Sequence, residues 1–342
     1  MFTVQENVSL KNKTTFKMGG IARYFTELND KNDIPVWLEF SRSKNLPTFI
    51  LGKGSNCIFG DGMIEMSVAS FMFFGKEISE DNFSSVLVRF GAGEIWDDVV
   101  KWSVEHGYSG IEAMSAIPGT VGATPVQNVG AYGQETKDVL VEVEVYDTLK
   151  KVFTTLSNKE CCFGYRSSIF NTTEKGRYSI VSATLRLSKK PATVPDYSGV
   201  KDYFEARNIQ DPSGAEIREA IIAIRKEKLP DPSIIANVGS FFKNVIVEEG
   251  VAQELKTNFP DMPIFSAKEG FSKIPSGWFI EKIGLKGKSF GSISVYEKNA
   301  LVLTHNTKGN FADLQQTKSA IIQQVKDAFE VTLEAEPQLI VG

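Results

Sequence analysis

Histidine is nearly absent from this chain, and its scarcity argues against two common kinds of catalytic site. The 342 residues include only two histidines, His106 and His305. A histidine-rich metal centre is therefore not expected, and a Ser-His-Asp nucleophile would have to use one of these two rings. His106 precedes Gly107 at an expected helix end, and His305 follows an apolar run. We expect both to be structural or solvent-facing, and we expect no metal site.

Cysteines and long apolar runs are also few. The chain has three cysteines, Cys57, Cys161 and Cys162, and the last two are neighbours that disulfide geometry would strain to join. No apolar run approaches the roughly 18 residues that a membrane span needs, and the first 20 residues lack the apolar block of a signal peptide. These absences predict a cytoplasmic protein without disulfides.

The chain has no excess of charge of one sign. Its net charge is −4, with 42% apolar and 23% charged residues. This balance gives no electrostatic reason to expect nucleic acid or an anionic membrane as partner. The length predicts two or three domains, because the chain is longer than the roughly 250–300 residues at which a single hydrophobic core stops growing.

Apolar periodicity predicts a mixed α/β chain. Helices are expected between Asn32 and Asn45, and over residues 95–106, 213–228, 248–259 and 313–330. Strands are expected over residues 48–51, 84–90, 139–146, 151–156, 180–187, 289–295, 300–304 and 331–334. A shift in composition over residues 189–197 predicts a domain boundary there.

The most unusual composition lies between Ala113 and Gln134, called here the uncharged segment. It contains no charged residue, yet it has too many glycines and prolines for a helix or a membrane span. Its polar side chains suit a backbone wrapped around a large, partly apolar ligand. The alternative, a buried irregular crossover, would leave many backbone groups to be satisfied internally.

A shorter glycine-rich stretch follows the strand predicted at 48–51. In Gly52-Lys53-Gly54-Ser55-Asn56, two glycines flank a lysine, so several N–H groups can point at one phosphate. The spacing matches neither the Walker motif nor the dinucleotide fingerprint. A plain loop is the alternative.

Two further stretches carry candidate chemistry. Arg166 lies among aromatic residues in the stretch 163–170, where its planar fork suits a carboxylate; a surface arginine is the alternative. Ser240 lies in the stretch 237–244, reading Asn-Val-Gly-Ser-Phe-Phe-Lys-Asn, between a glycine that permits close approach and two phenylalanines that exclude water. The alternative for Ser240 is a turn entering a buried strand.

Taken together and in this order, these motifs resemble the UDP-N-acetylenolpyruvoylglucosamine reductase family of flavoenzymes. The resemblance rests on residues 52–56, 117–119, 126–133, 163–170, 228–232 and 239–244, together with an acidic C-terminal stretch, and it spans nearly the whole chain. Tyr197 and the length resemble the longer type of the family, in which a tyrosine loop folds over the substrate.

The resemblance implies an α/β (α+β) fold of the vanillyl-alcohol-oxidase flavoprotein kind. It implies FAD-binding subdomains at 1–65 and 66–190, a separate α/β substrate-binding domain at 200–330, and a C-terminal strand at 331–342 that returns to the active site. The residues that it assigns to FAD are Gly52, Lys53, Gly54, Ser55, Asn56, Pro118, Gly119, Thr124, Gln127, Asn128, Gly130, Ala131, Tyr132, Tyr165 and Arg225.

The implied reaction is the reduction of an enolpyruvyl ether on a UDP-sugar, with NADPH as the reductant. We expect the enzyme to be a monomer. Ser240 resembles the family's proton donor, and Arg166 and Glu336 resemble the pair that acts on the carboxylate and enolate. Four residues would contact the substrate: Tyr197, Lys228, Asn244 and Lys286. The sequence leaves open whether NADH replaces NADPH.

Four positions depart from the family's usual pattern. Val245 stands where a proline is usual, Gln338 where an arginine often stands, and Phe265 where a substrate-contacting tyrosine is possible. The C-terminal order is Glu334-Ala335-Glu336-Pro337, so Glu334 remains an alternative to Glu336 as the active carboxylate. The rival functions are a different FAD oxidase of the same fold, and a flavin-binding module without turnover.

Overall fold

The computed structural model describes residues 2–306 and 308–341, which form two compact units. The first unit contains the N-terminal residues through Val8, together with Ala22–Lys53 and Glu65–Lys226. The second unit contains Ser9–Ile21, Gly54–Ile64 and the chain from Glu227 onward. Both units are therefore assembled from discontinuous segments.

The described residues contain eight α-helices. They are α1 Asp33–Ser43, α2 Trp96–Glu105, α3 Thr136–Val139, α4 Ser198–Glu205, α5 Gly214–Lys228, α6 Glu249–Asn258, α7 Ser276–Lys282 and α8 Phe311–Phe329.

Nineteen strands, several of them only two or three residues long, lie in the described residues. The first ten are β1 Val4–Ser9, β2 Ile21–Leu28, β3 Thr48–Ile50, β4 Cys57–Phe59, β5 Met63–Phe71, β6 Lys76–Asp81, β7 Ser85–Gly91, β8 Gly130–Ala131, β9 Gln134–Glu135 and β10 Leu140–Asp147. The others are β11 Val152–Ser157, β12 Tyr178–Ser188, β13 Val245–Glu248, β14 Phe265–Ser266, β15 Phe271–Ile274, β16 Ser289–Phe290, β17 Ile293–Val295, β18 Leu303–His305 and β19 Gln338–Ile340.

The first unit is built on a five-stranded antiparallel sheet in the order β11-β10-β12-β7-β6. Alternate residues of its central strands are apolar, so one face buries a row such as Val86, Val88 and Phe90 against Trp96 and Val99 of α2. Burying a side chain of this size contributes about 1.5–3 kcal/mol to the stability of the fold, relative to leaving it exposed. A second sheet, β1-β2-β5-β3, packs with α1.

Helix α4 and the residues of α5 through Lys226 also belong to the first unit. Their apolar faces form a small core with Val200, Phe204, Ile217 and Ile221, and Tyr132 of the uncharged segment packs against it. Helix α5 begins at the predicted capping box, in which Ser213 N and Oγ donate to Glu216 and Glu216 N donates back to Ser213 Oγ. This helix therefore lies beside the uncharged segment.

The second unit has its core around α8. Leu314, Ile321, Val325 and Phe329 form the buried stripe of α8. The same core contains Phe241, Phe242, Ile274, Phe279, Ile293 and Leu303. Two three-stranded sheets, β13-β15-β14 and β16-β17-β18, surround it, and β19 pairs in parallel with β4.

Most predicted elements are present, but two predicted strands are wrong. The stretch 331–334 is not a strand; the C-terminal strand is β19, which starts at Gln338 and finds its partner in β4. The predicted strand 289–295 is a tight hairpin, because Gly291 with φ +66° reverses the chain between Phe290 and Ile293. The predicted strand 300–304 is limited to β18, and the apolar stretch 277–280 forms α7.

The compact units do not follow the predicted domain boundaries. Residues through Lys226 group with the first unit, whereas the substrate-binding domain is predicted to start at 200. Which segments bind which ligand remains a prediction. No helix in residues 2–306 and 308–341 has the length and apolar character to cross a membrane.

Candidate active site

The two glycine-rich stretches predicted for FAD meet at Gly52 in the first unit. An ideal Cβ added to Gly52 would lie 2.9 Å from Thr120 Oγ1, closer than real Cβ contacts come. Gly52 therefore lets the loop after β3 lie directly against the uncharged segment. Two stretches that are weak motifs separately thus lie next to each other, with the side chains of Thr120 and Ala123 facing Gly52.

The second half of the short stretch is also a tight backbone turn. Gly54 has φ +62°, and an added Cβ would lie 2.3 Å from Lys13 O. Its carbonyl accepts a hydrogen bond from Thr15 N at 3.1 Å. Only glycine fits this conformation and this approach. The tight glycine turn that a phosphate cradle needs is thus present, and the binding of FAD by this turn stays a prediction.

The uncharged segment is fastened at both of its ends. Gln134 Oε1 accepts from Ala113 N at 2.8 Å, and Gln134 Nε2 donates to Glu112 Oε1 at 3.2 Å. Glu112 is buried and also accepts from Gly110 N at 2.6 Å. The segment between these contacts has only 3-10 turns and the two-residue strand β8, as its composition predicts.

Several of its predicted FAD residues hold the segment in shape. Asn128 is fully buried with φ +47°, and its amide donates to Glu135 Oε2 and Gly164 O while Oδ1 accepts from Lys137 N. Thr124 Oγ1 donates to Val121 O at 2.9 Å. The side chains of Asn128 and Thr124 are thus engaged inside the protein, and their contact with FAD stays a prediction.

The remaining predicted FAD residues lie in the same loops or beside them. Lys53 is exposed and Ser55 and Asn56 are half-buried, while Gly119 O accepts from Trp96 N at 3.1 Å. The others are Pro118, Gln127, Gly130, Ala131 and Tyr165. None of these assignments is tested by the geometry alone.

Tyr132, Tyr197 and Arg225 form a cluster in the first unit. The rings of Tyr132 and Tyr197 meet edge to face at 5.0 Å, and the Arg225 side chain is hydrogen-bonded to Tyr132. Burial lowers the pKa of Arg225 below its ordinary value, which Tyr132 opposes, and burial raises the pKa of Tyr132. The predicted substrate-covering tyrosine is thus in contact with a residue predicted for FAD.

Arg166 is held by its own loop and by the uncharged segment. It has φ +51°, a left-handed conformation that costs a non-glycine residue about 1–2 kcal/mol. Its Nη2 donates to Gly130 O at 3.0 Å, and its carbonyl accepts from Asn171 Nδ2 at 3.1 Å. The guanidinium lies 5.6 Å from the Tyr165 ring centre. The arginine is therefore fixed rather than a mobile surface group.

Ser240 lies in the second unit between two neighbouring backbones. It forms an antiparallel bridge with Val302, and Phe241 N donates to Leu301 O at 2.7 Å. On the other side, Phe242 bridges Ala335, and Glu336 N donates to Phe241 O at 2.9 Å. Ser240 and Glu336 are thus one position apart across a short ladder.

The loop before Ser240 is built by a residue that the sequence analysis gave no role. Asn237 is buried; its amide donates to Pro230 O at 3.0 Å and Ile235 O at 2.8 Å, and its Oδ1 accepts from Gly239 N at 2.9 Å. Gly239 has φ +71°, and an added Cβ would meet no heavy atom of the described residues within 4 Å. The approach to Ser240 beside Gly239 is therefore open.

The two candidate carboxylates differ in their surroundings. Glu334 is exposed, and its Oε1 pairs with Lys243 Nζ at 2.5 Å on the surface. Glu336 is half-buried, and its backbone is held by Phe241 O on one side and by Asn56 Nδ2, which donates to Glu336 O at 3.5 Å, on the other. Gln338 N donates to Asn56 O at 2.9 Å and continues this register into β19. Glu334 O also accepts from Lys243 N at 2.9 Å, so the ladder holds the backbones of both residues, and the choice of Glu336 over Glu334 stays a prediction.

The three predicted substrate residues of the second unit differ in their surroundings. Asn244 Oδ1 accepts from Ser276 N at 3.3 Å at the start of α7, and Lys286 Nζ pairs with Glu281 at 2.9 Å. Lys228 is the exposed last residue of α5. Val245, one of the departures, pairs regularly with Ile274 in β13 and β15, so it does not interrupt that register.

The sequence analysis also missed an ion pair beside the uncharged segment. The carboxylate of Asp97 in α2 accepts hydrogen bonds from Nη1 and Nη2 of Arg218 in α5, at 2.5 and 2.8 Å. It also accepts a hydrogen bond from Ala116 N at 2.6 Å. Asp97 and Arg218 are 121 residues apart in the chain. No local pattern relates them, so only the folded chain shows the pair.

Comparisons with known proteins point to one family. Residues 231–340 match the family domain described as "UDP-N-acetylenolpyruvoylglucosamine reductase, C-terminal domain", and residues 22–155 match an FAD binding domain. The chain is 38% identical over 336 residues to UDP-N-acetylenolpyruvoylglucosamine reductase of Pseudomonas aeruginosa, covering 98% of both chains. It is 36% identical over 338 residues to that of Flavobacterium johnsoniae, covering 98% of this chain and 99% of the other.

A solved structure agrees on the fold. The UDP-N-acetylenolpyruvylglucosamine reductase of Thermus caldophilus superimposes with a TM-score of 0.69 over 99% of this chain and 100% of that one, at 20% identity. Together with the FAD binding domain match, this confirms the predicted α/β fold of the vanillyl-alcohol-oxidase kind followed by a further α/β domain.

Proposed function

The chain belongs to the UDP-N-acetylenolpyruvoylglucosamine reductase family, and from this premise we propose how its own residues carry out the reaction. The protein is an FAD-dependent oxidoreductase that uses NADPH to reduce UDP-N-acetylglucosamine enolpyruvate to UDP-N-acetylmuramate, a step in peptidoglycan precursor synthesis. Its substrate is a small nucleotide sugar, as the resemblance implies.

The chemistry that FAD supplies when bound is hydride transfer, from NADPH to the terminal carbon of the enolpyruvyl double bond. The substrate then carries an enolate next to its carboxylate and needs two things from the protein. Negative charge on the enolate must be stabilised, and a proton must reach the adjacent carbon. Arg166 and Glu336 meet the first need, and Ser240 meets the second.

A serine hydroxyl is a weak acid in water, but the surroundings of Ser240 favour its use here. An enolate carbon is a strong base, and the neighbouring Phe241 and Phe242 are fully buried, so they limit the access of water on one side of this stretch. The hydroxyl transfers its proton to carbon, and the resulting alkoxide is reprotonated from solvent through the open side at Gly239.

The single observation that carries this proposal is the ladder that joins Ser240 to the C-terminal segment. Because Phe242 bridges Ala335 and Glu336 N binds Phe241 O, the proton donor and the carboxylate are held in one register. A pure binding module would gain nothing from holding the Ser240 stretch and the Glu336 segment at a fixed backbone offset. The arrangement therefore supports turnover rather than binding alone.

The other site residues bind and orient. We assign Tyr197 to closure over the substrate, and Lys228, Asn244 and Lys286 to its diphosphate end, where cationic and amide donors suit phosphate oxygens. The glycine-rich stretch 52–56, the uncharged segment, Tyr165 and Arg225 hold FAD. The pairing of Lys286 with Glu281 means that this lysine changes partner when substrate binds.

We further propose that the enzyme is a cytoplasmic monomer. The three cysteines are free, and Cys57 and Cys161 are buried in apolar surroundings that raise the pKa of each thiol to about 12, which suits a reducing compartment. Light scattering should give a mass near 37.8 kDa; twice that mass would contradict the monomer.

The experiment that tests the mechanism separates the two half-reactions of Ser240→Ala under anaerobic conditions. Reduction of the bound flavin by NADPH should keep its wild-type rate, because Ser240 has no part in it. Reoxidation by the enolpyruvyl substrate should slow by about 100- to 10,000-fold, the usual contribution of a positioned acid.

The matched control is Ser289→Ala, which removes an exposed hydroxyl elsewhere in the second unit. Both of its half-reactions should match the wild type. Equal losses in the two half-reactions of Ser240→Ala would instead assign Ser240 to the fold or to FAD binding.

A further inference from the structure

Helix α5 contacts the uncharged segment at two points of one helical face. Arg218 and Arg225 are two turns apart, so their side chains project from the same side at a separation of roughly 10 Å along the axis. Arg218 reaches the start of the segment through Asp97, and Arg225 reaches Tyr132 near its end. The same helix thus contacts both ends of the stretch predicted to wrap FAD.

The contact at the start controls a strained residue. Ala116 has φ +57°, a conformation that costs alanine about 1–2 kcal/mol, and its N–H donates to Asp97 Oδ1 at 2.6 Å. Ala116 stands directly before Ile117-Pro118-Gly119. The direction in which these residues leave Ala116 therefore depends on the Asp97 carboxylate.

Asp97 is in turn fixed by a two-pronged ion pair. Arg218 Nη1 and Nη2 meet the two carboxylate oxygens at 2.5 and 2.8 Å, and the Arg218 side chain is only 13% exposed. Burial alone would raise the pKa of Asp97, but the hydrogen bonds from Arg218 and Ala116 outweigh it and hold the pKa below its ordinary value. The acceptor of the Ala116 bond is therefore a charged carboxylate, which makes that bond a strong one.

The contact at the end holds a second strained residue. Tyr132 has φ +51°, and its side chain is bound to Arg225 and packed on Tyr197. Both ends of the stretch 116–132 thus have a left-handed non-glycine residue whose partner leads back to α5. A helix used only for packing would not need these polar contacts at both ends.

We propose that Asp97 and Arg218 are positioning residues for FAD, and that α5 acts as a brace that sets the conformation of residues 116–132. The inference rests on the proposed function, because it takes this stretch to bind FAD. Neither residue contacts the reacting atoms; each acts through the backbone of Ala116. Loss of the pair should therefore weaken FAD binding while the chemical step in fully loaded enzyme changes little.

The test is to titrate FAD into deflavinated full-length protein. Arg218→Met removes the ion pair but keeps the side chain's length, and Asp97→Ala removes the ion pair and the acceptor of the Ala116 bond. We expect the FAD dissociation constant to rise about 5- to 20-fold in Arg218→Met and about 20- to 100-fold in Asp97→Ala. Arg218→Lys, which keeps the charge but not the two-pronged geometry, should lie between the wild type and Arg218→Met.

The control is Arg42→Met, which breaks the exposed Arg42–Glu39 pair on α1, and its FAD affinity should stay within twofold of the wild type. Hydrogen exchange of apoprotein should show faster exchange in residues 113–134 of Arg218→Met and unchanged exchange in β10 and β12. If Asp97→Ala does not fold, the two Arg218 variants carry the test.

Three outcomes would overturn the proposal. A lower melting temperature in the variants with FAD affinity within twofold of the wild type would make the pair a structural contact only. A turnover rate at saturating FAD that falls as much as the affinity would place the pair in the chemistry instead. Failure of the wild type itself to bind FAD would overturn both this proposal and the proposed function.

Discussion

Four strained non-glycine residues lie in the stretches that we propose bind the ligands. Ala116, Asn128, Tyr132 and Arg166 are non-glycine residues with φ between +47° and +57°. Such conformations cost about 1–3 kcal/mol each and persist only where surrounding contacts determine them. Here each makes a polar contact; for example, Ala116 N donates to Asp97 Oδ1, and Arg166 Nη2 donates to Gly130 O. The strain indicates backbone that is held ready for a ligand.

Asp147 gives the molecule a predictable sensitivity to acid. Hydrogen bonds from Arg177, at 3.1 and 2.7 Å, and from two backbone N–H groups lower the pKa of its carboxyl to about 2. The unfolded carboxyl has a pKa of about 3.9, so the unfolded state binds the proton first as the pH falls. The contribution of Asp147 to the free energy of unfolding is therefore present above about pH 4 and is lost as the pH falls towards about pH 2.

Urea unfolding of Asp147→Asn and the wild type at several pH values checks this. The variant should be less stable at about pH 6, and the difference should shrink steadily below about pH 4. A difference that does not change with pH would mean that Asp147 stabilises the turn by shape and not by charge.

The sequence singled out some residues as candidates for the site, but it did not predict the residues that they contact. Arg166 and Ser240 were found from their neighbours, because aromatic and glycine residues next to a polar group indicate a constrained position. Their partners, Gly130 O and the backbone of Val302, could not be found in the same way. Contacts between residues far apart in the chain leave no local signal in one sequence.

At the scale of elements, the contact between the loop after β3 and the uncharged segment makes a sharp prediction. Gly52→Ala places a Cβ 2.9 Å from Thr120 Oγ1, and such overpacking typically costs about 1–3 kcal/mol. We expect FAD affinity to fall about tenfold or more, as measured by fluorescence titration, because the two loops must separate.

The second substitution Thr120→Ala should restore much of the affinity of Gly52→Ala, since it removes the clashing atom. Gly250→Ala is the control: its Cβ meets no heavy atom of the described residues within 4 Å, and it lies in α6 where alanine favours the helix. If Thr120→Ala gave no rescue, the loss in Gly52→Ala would have to come from elsewhere.

The C-terminal ladder predicts which carboxylate is active. Glu336→Gln should reduce kcat by at least about 100-fold, because it removes the carboxylate proposed to act on the enolate, whereas Glu334→Gln should change kcat less than about threefold. Steady-state kinetics with both variants measure this. The reverse ranking would show that the carboxylate at the surface pair with Lys243 is the one that acts.

Elements with strong local signals were predicted correctly, and those with distant partners were not. The capping box Ser213–Glu216 and the apolar stripe of α8 lie within one segment, so the sequence located α5 and α8 well. Strand β19 pairs with β4, which lies at the other end of the chain, and the apolar residues Val331 and Leu333 that suggested a strand are buried without one. Burial alone does not define a strand.

At the scale of the whole molecule, each unit draws on separated parts of the chain. Residues 9–21 and 54–64 belong to the unit that contains Ser240 and Glu336, although they lie near the N-terminus. Asn56, at the end of the glycine-rich stretch, donates to Glu336 O and accepts from Gln338 N within that unit. A stretch predicted for FAD thus also fixes the backbone register of Glu336, the carboxylate that we propose is active, which no linear division of the sequence would suggest.

The central claim is that this chain passes reducing equivalents from NADPH through FAD to an enolpyruvyl nucleotide sugar. The most direct measurement is the anaerobic visible spectrum of the purified protein during sequential additions. The isolated protein should show flavin absorbance, NADPH should bleach it, and UDP-N-acetylglucosamine enolpyruvate should then restore it with one product formed per flavin. A colourless protein that takes up no FAD, or a bleached flavin that the enolpyruvyl substrate leaves unchanged, would contradict the account.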